Sequence, residues 1–233
     1  MGDPLVVAVD GPGGSGKSTV ARAVARRLGW RYLDTGAMYR AVAWLALQRR
    51  VDVEDAEGLA QLAERAVLSM TTDPDAPCIC VDGGDVSGEI RSRPVTSAVS
   101  AVSAVPAVRK RLVDQQRAVI ASDPGGIVVE GRDIGTVVAP DAAVKVFLTA
   151  STAERARRRS AEIGEAGDEA VAQTMAELGR RDALDSGRSA SPLTKAPDAL
   201  IVDSTDLSVD AVADQIVAEV SERVGLAAVR TPS

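Results

Sequence analysis

The chain has 233 residues, 45% of them hydrophobic but only 2% aromatic, and a formal charge of −6. That length suits one core domain with insertions, the composition demands a core of Val, Ala, Leu and Ile, and the acidic balance excludes a nucleic-acid coat or a basic membrane patch. No histidine occurs, which removes the usual general base and the serine-type triads, and no apolar run approaches the ~18 residues needed to cross a bilayer.

Residues 5–10 (LVVAVD) predict a fully buried strand ended by Asp10 and Gly11. Its apolar part is too short for a signal-peptide core and follows Asp3, so a soluble, cytoplasmic protein is the expectation. Gly11-Pro12-Gly13-Gly14-Ser15-Gly16-Lys17-Ser18 then fits G-x-x-x-x-G-K-[ST] position for position, with Thr19 following. Glycines let successive N–H groups turn toward one anion, and a helix over about 18–28 adds its positive end. In that context Lys17 would reach the β- and γ-phosphates of a nucleoside triphosphate and Ser18 would ligate Mg²⁺. Strand, glycine loop and helix in this order open an α/β fold with a parallel sheet. A GTPase would need [NT]-K-x-D; Thr194-Lys195-Ala196-Pro197-Asp198 misses it by one residue.

A short strand at 31–34 and a helix at 36–49 follow. In Asp34-Thr35-Gly36-Ala37-Met38-Tyr39-Arg40 a hydroxyl and a glycine open the helix and Arg40 lies one turn in. The spacing fits a phosphate site at a helix N-terminus and equally an N-cap with a surface arginine. A helical stretch at 55–68 leads into strand-like pieces at 67–72 and 78–81, broken by Pro and Gly, which predict a small β-rich insertion. Cys78 and Cys80 point to one side of a strand and lack the further ligands of a zinc site; they read as ordinary thiols. Helices resume at 92–102 and 106–122.

Ile127-Val128-Val129 predicts another buried strand, directly followed by Glu130-Gly131-Arg132-Asp133-Ile134-Gly135-Thr136. Carboxyl ends of strands line the ligand crevice in open α/β sheets, so the Arg-Asp pair there offers donors to a phosphate and an acceptor to a base or sugar. A strand at 143–148 precedes a helix from Thr152 on which Arg155, Arg158 and Arg159 share a face. Beyond a mobile turn at 164–167, a helix over 168–186 places Arg181, Asp185 and Arg188 at i, i+4, i+7. Together these arginines predict a lid over transferring phosphates. A last strand (199–203), a final helix (208–224) and a loose tail from Gly225 complete the chain. Of 27 basic residues only Lys17, Lys110, Lys145 and Lys195 are lysine; the rest are arginine, whose planar fork suits bidentate phosphate contacts.

The motifs D-G-P-G-G-S-G-K-S-T (10–19), L-D-T-G-A-M-Y-R (33–40), D-V-S-G-E-I-R (85–91), E-G-R-D-I-G-T (130–136), R-R-D-A-L-D-S-G-R (180–188) and A-L-I-V-D-S-T (199–205) occur in order. With them the chain resembles bacterial cytidylate kinases along nearly its whole length. The resemblance implies a nucleoside monophosphate kinase fold: a five-stranded parallel core (1–34, 103–153 and 189–233), a partly β monophosphate-binding insertion (35–102) and a lid with its flanking helices (154–188). It implies transfer of a phosphate from ATP to CMP or dCMP with Mg²⁺. Thr35, Tyr39 and Arg40 would border the acceptor; Ser100, Arg109 and Asp133 would contact cytosine; Asp185 would hold the sugar. Arg132, Arg181 and Arg188 would hold the acceptor phosphate or the transferred group, and Arg155, Arg158 and Arg159 would act on ATP phosphates. Glu130 stands where the family often has Asp, and would bind Mg²⁺ through water. The expected partners are small nucleotides, with no nucleic acid or membrane, and the expected state is a monomer. The competing readings are a kinase for UMP or another acceptor, and a catalytically idle nucleotide-binding module that signals by lid closure.

Overall fold

The computed structural model describes residues 4–164, 167–188 and 190–225. Residues 165–166 and the tail beyond Gly225, read above as mobile and loose, lie outside them. Five parallel strands form the central sheet: β1 (Val6–Asp10), β2 (Arg31–Asp34), β6 (Ile127–Gly131), β7 (Val144–Thr149) and β8 (Leu200–Asp203), in the order β2-β6-β1-β7-β8. A parallel sheet is covered on both faces, so its inner strands read as continuous apolar runs. All five residues of β1 and all five of β6 are buried.

Alternation assigns the two faces. Val7 and Val9 pack with Val20 and Val24 of α1 (Lys17–Leu28) and with Val212 and Ile216 of α8 (Val209–Val224). Val6 and Ala8 face Val113 and Ile120 of α5 (Pro106–Ala121). The register sets Asp10 beside Gly131 and Asp34 beside Glu130, so the carboxyl ends of β1, β6 and β2 converge on one edge.

Between β2 and α5 lies the insertion: α2 (Thr35–Arg49), α3 (Ala56–Arg65), the antiparallel sheet β3 (Leu68–Met70), β4 (Ile79–Val81) and β5 (Gly84–Asp85), a 3₁₀ turn (Glu89–Arg91) and α4 (Arg93–Ala104). Its apolar cluster runs from Met38 through Ile79 and Val95 to Leu112 of α5. The expected helix over 55–68 stops at Arg65: Ala66 is extended at φ −66°, ψ 129°, because Leu68 is claimed by pairing with Val81. Helix α2 is capped by the Asp34 side chain, which accepts from the Ala37 N–H at 2.9 Å, rather than by the Thr35 hydroxyl. Cys78 and Cys80 are free, their sulfurs 3.8 Å apart.

After β7, α6 (Thr152–Glu162) and α7 (Asp168–Gly187) pack against each other, with a buried Ser160 to Thr174 hydroxyl contact of 3.0 Å between them. No helix among the described residues is long and apolar enough to cross a membrane.

Candidate active site

The glycine loop between β1 and α1 has a shape only glycine allows at its tightest points. Gly11 has φ +153°, and a Cβ there would sit 2.0 Å from the Leu148 carbonyl oxygen; Gly14 has φ +75°, with the Arg155 carbonyl oxygen 2.8 Å from such a Cβ. Lys17 opens α1 and turns back, its Nζ donating to the Pro12 carbonyl at 2.8 Å. Burial, and after it the Arg132 guanidinium, hold the Lys17 ammonium well below the usual lysine range. The buried Ser15 Oγ has no hydrogen-bond partner among the described residues.

From this loop a cleft of about 560 Å³ extends under α6 and α7 to α2, α4 and α5. Nine cations and five carboxylates line it, Lys17 and eight arginines against Asp34, Glu130, Asp133, Glu162 and Asp185. The chain as a whole carries −6, so the positive charge has been concentrated at this one place, which suits anionic ligands.

At the end of β6, Glu130 is buried and accepts a short hydrogen bond from the Tyr32 hydroxyl. Burial first, then Asp34, push its carboxyl above the usual range, while Lys17 and hydrogen bonds from Tyr32 and Ser18 oppose that rise. The Thr35 hydroxyl donates to the Glu130 carbonyl at 2.7 Å, so it is committed to backbone at the cleft wall. The loop that follows carries Arg132 and Asp133 into a one-turn π-helix (Ile134–Val138), a form often found at functional sites. Asp10, at the end of β1, accepts from the Ile134 and Gly135 N–H groups, both at 2.8 Å. Arg117 of α5 donates to the Val137 and Val138 carbonyls at the other end, at 2.7 and 3.1 Å. Burial raises the Asp10 carboxyl to about 6 against the pull of those two N–H groups.

Held in this way, Asp133 forms a buried ion pair with Arg109 of α5 at 2.5 Å. Arg109 also donates to the Ser103 carbonyl at 3.2 Å and lies 5.1 Å from the Tyr39 ring centroid. Burial raises the Tyr39 hydroxyl to about 12, against the Arg109 charge. Ser100 of α4 lines the same pocket.

On α7, Asp185 is buried and holds Arg132 at 3.1 Å and Arg188 at 3.6 Å. Arg188 also donates to the Ser103 hydroxyl at 3.3 Å and the Ser191 carbonyl at 2.9 Å. Arg40 and Arg181 line the cleft beside them. Burial and then the Arg132 charge pull Arg181 down to about 10, and Arg40 is lowered by burial. The Arg181 Nε has no hydrogen-bond partner among the described residues. Arg159 pairs with Glu162 at 2.8 Å. Arg158 pairs with Glu154 at 3.0 Å and donates to Ser204, its Oγ at 2.9 Å and its carbonyl at 2.6 Å.

Nearly all of the residues singled out in the sequence thus reach one cleft. Gly11, Pro12 and Arg155 do not line it. The first two shape the loop from behind. Arg155 is a correction to the shared arginine face on α6: unlike Arg158 and Arg159 it does not line the cleft, and it donates to the Gly13 carbonyl at 3.0 Å and pairs with Asp182 at 2.5 Å. Tertiary partners on the loop and on α7 outweigh helical spacing there. Sequence reasoning missed Asp10, Ser103, Arg91 and Asp182. Arg91 lies inside the 85–91 motif, and an acid at the end of a buried strand is a weak sign for Asp10; nothing local marks the other two.

The comparisons decide the family. A family model described as cytidylate kinase matches residues 7–222. A cytidylate kinase from Streptomyces griseus is 53% identical over 91% of each chain. One from Mycolicibacterium paratuberculosis is 53% identical over 93% of this chain and 95% of its own. The chain belongs to the cytidylate kinase family. It is accordingly a nucleotide phosphotransferase. The cytidylate kinase of Pelotomaculum thermopropionicum is 50% identical, over 92% of this chain. A solved structure of an uncharacterized protein from Eubacterium ventriosum covers 94% of this chain with a TM-score of 0.53 at 12% identity, a likeness of fold alone.

For a metal, no group of three or more acidic or thiol side chains gathers among the described residues. Ser18 and Glu130 do meet at the cleft floor. Two hard oxygen donors beside a phosphate cradle fit Mg²⁺, which takes most of its ligands from water and phosphate.

Proposed function

We propose that this cytidylate kinase family member transfers the γ-phosphate of ATP to CMP or dCMP, giving CDP or dCDP. The observation that carries this reading is that one cleft joins the glycine loop to the Arg109–Asp133 and Arg132–Asp185–Arg188 clusters. The loop residues Gly13 to Thr19, on a turn shaped by Gly11 and Pro12, hold the donor phosphates, with Lys17 at the β- and γ-oxygens. Ser18, and Glu130 through water, would hold Mg²⁺, which would supply positive charge to neutralise the phosphates.

Thr35, Tyr39 and Arg40 border the acceptor; Arg132, Arg181 and Arg188 hold its phosphate or the group in flight; Asp185 fixes Arg132 and Arg188 and holds the sugar. Arg158 and Arg159 face the donor phosphates from the lid. No imidazole is required, since the attacking phosphate oxygen is already anionic and the residues need only align and neutralise. Asp133 accepts from the cytosine amine while Arg109 and Ser100 donate to its ring acceptors. Uracil, with its oxygen in place of the amine, would face Asp133 acceptor to acceptor and leave buried groups unpaired.

We read residues 35–102 as the monophosphate-binding part and 154–188 as the lid with its helices, in a monomeric cytoplasmic enzyme. A panel of nucleoside monophosphates with ATP and Mg²⁺ tests the reading. ADP release with CMP and dCMP well above UMP is expected. Preference for UMP would replace the acceptor, and no release with any of them would leave a binding module without catalysis.

A further inference from the structure

Gly13 is a meeting point of three parts of the molecule. Its carbonyl accepts from Arg155 Nη1 of α6 at 3.0 Å, and a Cβ placed on it would lie 3.1 Å from Leu178 Cδ2 of α7 and 3.7 Å from Arg132 Nη2. The same Arg155 Nη1 reaches Asp182 Oδ2 of α7 at 2.5 Å. Arg155 Nε and Nη2 are tied to the Ala150 carbonyl and the Thr152 hydroxyl at 3.2 and 3.3 Å, so the guanidinium is fixed on every edge. Its side chain is only 8% exposed. The second Asp182 oxygen is buried without a hydrogen-bond partner among the described residues, which leaves that carboxylate committed to Arg155.

Asp182 does not line the cleft, but it directly follows Arg181, which does, and precedes by one helical turn Asp185, which holds Arg132 and Arg188. Coupling between two sites requires an element whose position both of them bias. Helix α7 is placed to be such an element: Asp182 ties it through Arg155 to the Gly13 carbonyl, and Asp185 ties it to Arg132 and Arg188. Resting on the two-nucleotide reading of the cleft, we propose that Arg155 and Asp182 form a strut that makes donor and acceptor binding reinforce each other. They act as positioning residues that touch neither substrate. A triphosphate in the loop fixes the Gly13 peptide, hence Arg155, hence the seat of α7, which carries Arg181 and, through Asp185, holds Arg132 and Arg188. By linkage the factor is the same measured from either side.

Calorimetric titration of the full chain tests this, using a non-hydrolysable ATP analogue with Mg²⁺, alone and with saturating CMP, and the converse. In the wild type each nucleotide should tighten the other by roughly fivefold or more. Asp182→Ala should bring that factor to about one while either nucleotide alone binds within roughly threefold of wild type, and Asp182→Glu should restore part of the coupling. Coupling that survives in Asp182→Ala, or is absent from the wild type, overturns the strut. So does a loss in both single affinities with the coupling factor intact, which is what a merely structural role would give. If Asp182→Ala does not fold, Asp182→Asn keeps the volume, removes the charge and carries the same expectations. A wild-type chain that binds the analogue but not CMP would instead overturn the two-nucleotide reading, and the strut with it.

Discussion

The loop at the proposed donor end of the cleft is one continuous stretch, Gly11 to Thr19, shaped by positive-φ glycines. The acceptor end is assembled from Arg40 on α2, Arg109 on α5, Arg132 after β6, and Arg181, Asp185 and Arg188 on or just past α7. A backbone cradle presents N–H dipoles without burying net charge. A side-chain site must carry its counterions within it, and here Asp133 and Asp185 hold the guanidiniums in place. Loss of the acceptor-end carboxylates should therefore reach stability as well as activity, and truncation of Lys17 at the donor end should reach activity alone.

The largest expected effect is on the acceptor side. Asp133→Ala leaves Arg109, 4% exposed, as an uncompensated buried charge and should lower the unfolding free energy by about 3–5 kcal/mol in urea titration. A loss well below 1 kcal/mol would show that solvent already reaches the pair and would erase the contrast. Lys17→Ala should reduce turnover roughly 10²- to 10³-fold, about 2.7–4 kcal/mol, with circular dichroism and melting unchanged. An unfolded variant would make the lysine structural and the donor end no different from the other.

Asp10 joins the two ends, and its titration gives the third test. Its folded-state value of about 6 lies above the ordinary 3.8, so the folded chain holds that proton more tightly. The contribution is present in full below about pH 4 and is lost as pH rises through about 6, amounting to at most about 3 kcal/mol. Urea stabilities of the wild type and Asp10→Asn at pH 4 and pH 7 should differ by a falling margin; parallel curves would mean that Asp10 ionises normally. Smallest is Arg181→Ala, expected to cut turnover with CMP at least tenfold, about 1.4 kcal/mol, without a change in melting. An unaltered rate would remove Arg181 from the site.

Strands β1 and β6 were legible because burial on both faces writes an uninterrupted apolar run, and the β-rich insertion because Asp73-Pro74, Pro77 and Gly83-Gly84 break any helix there. The donor loop was legible because all its parts are sequence neighbours. The Asp10 and Arg117 grip on the π-turn, the Arg188 contact with Ser103 and the Arg155–Asp182 pair were not, since each joins residues far apart in the chain. Arg155 is the instructive failure: helical spacing grouped it with Arg158 and Arg159, whereas its side chain had a carbonyl and a carboxylate to satisfy behind the loop.

Residue order alone therefore determined a parallel α/β sheet, the place of the phosphate loop and the family, because those rest on local periodicity and contiguous motifs. Which arginines face the cleft, which carboxylates hold them, and which one serves as a strut were decided only by tertiary structure. A buried guanidinium goes where its hydrogen bonds can be completed, and that place is set by strands and helices folding together.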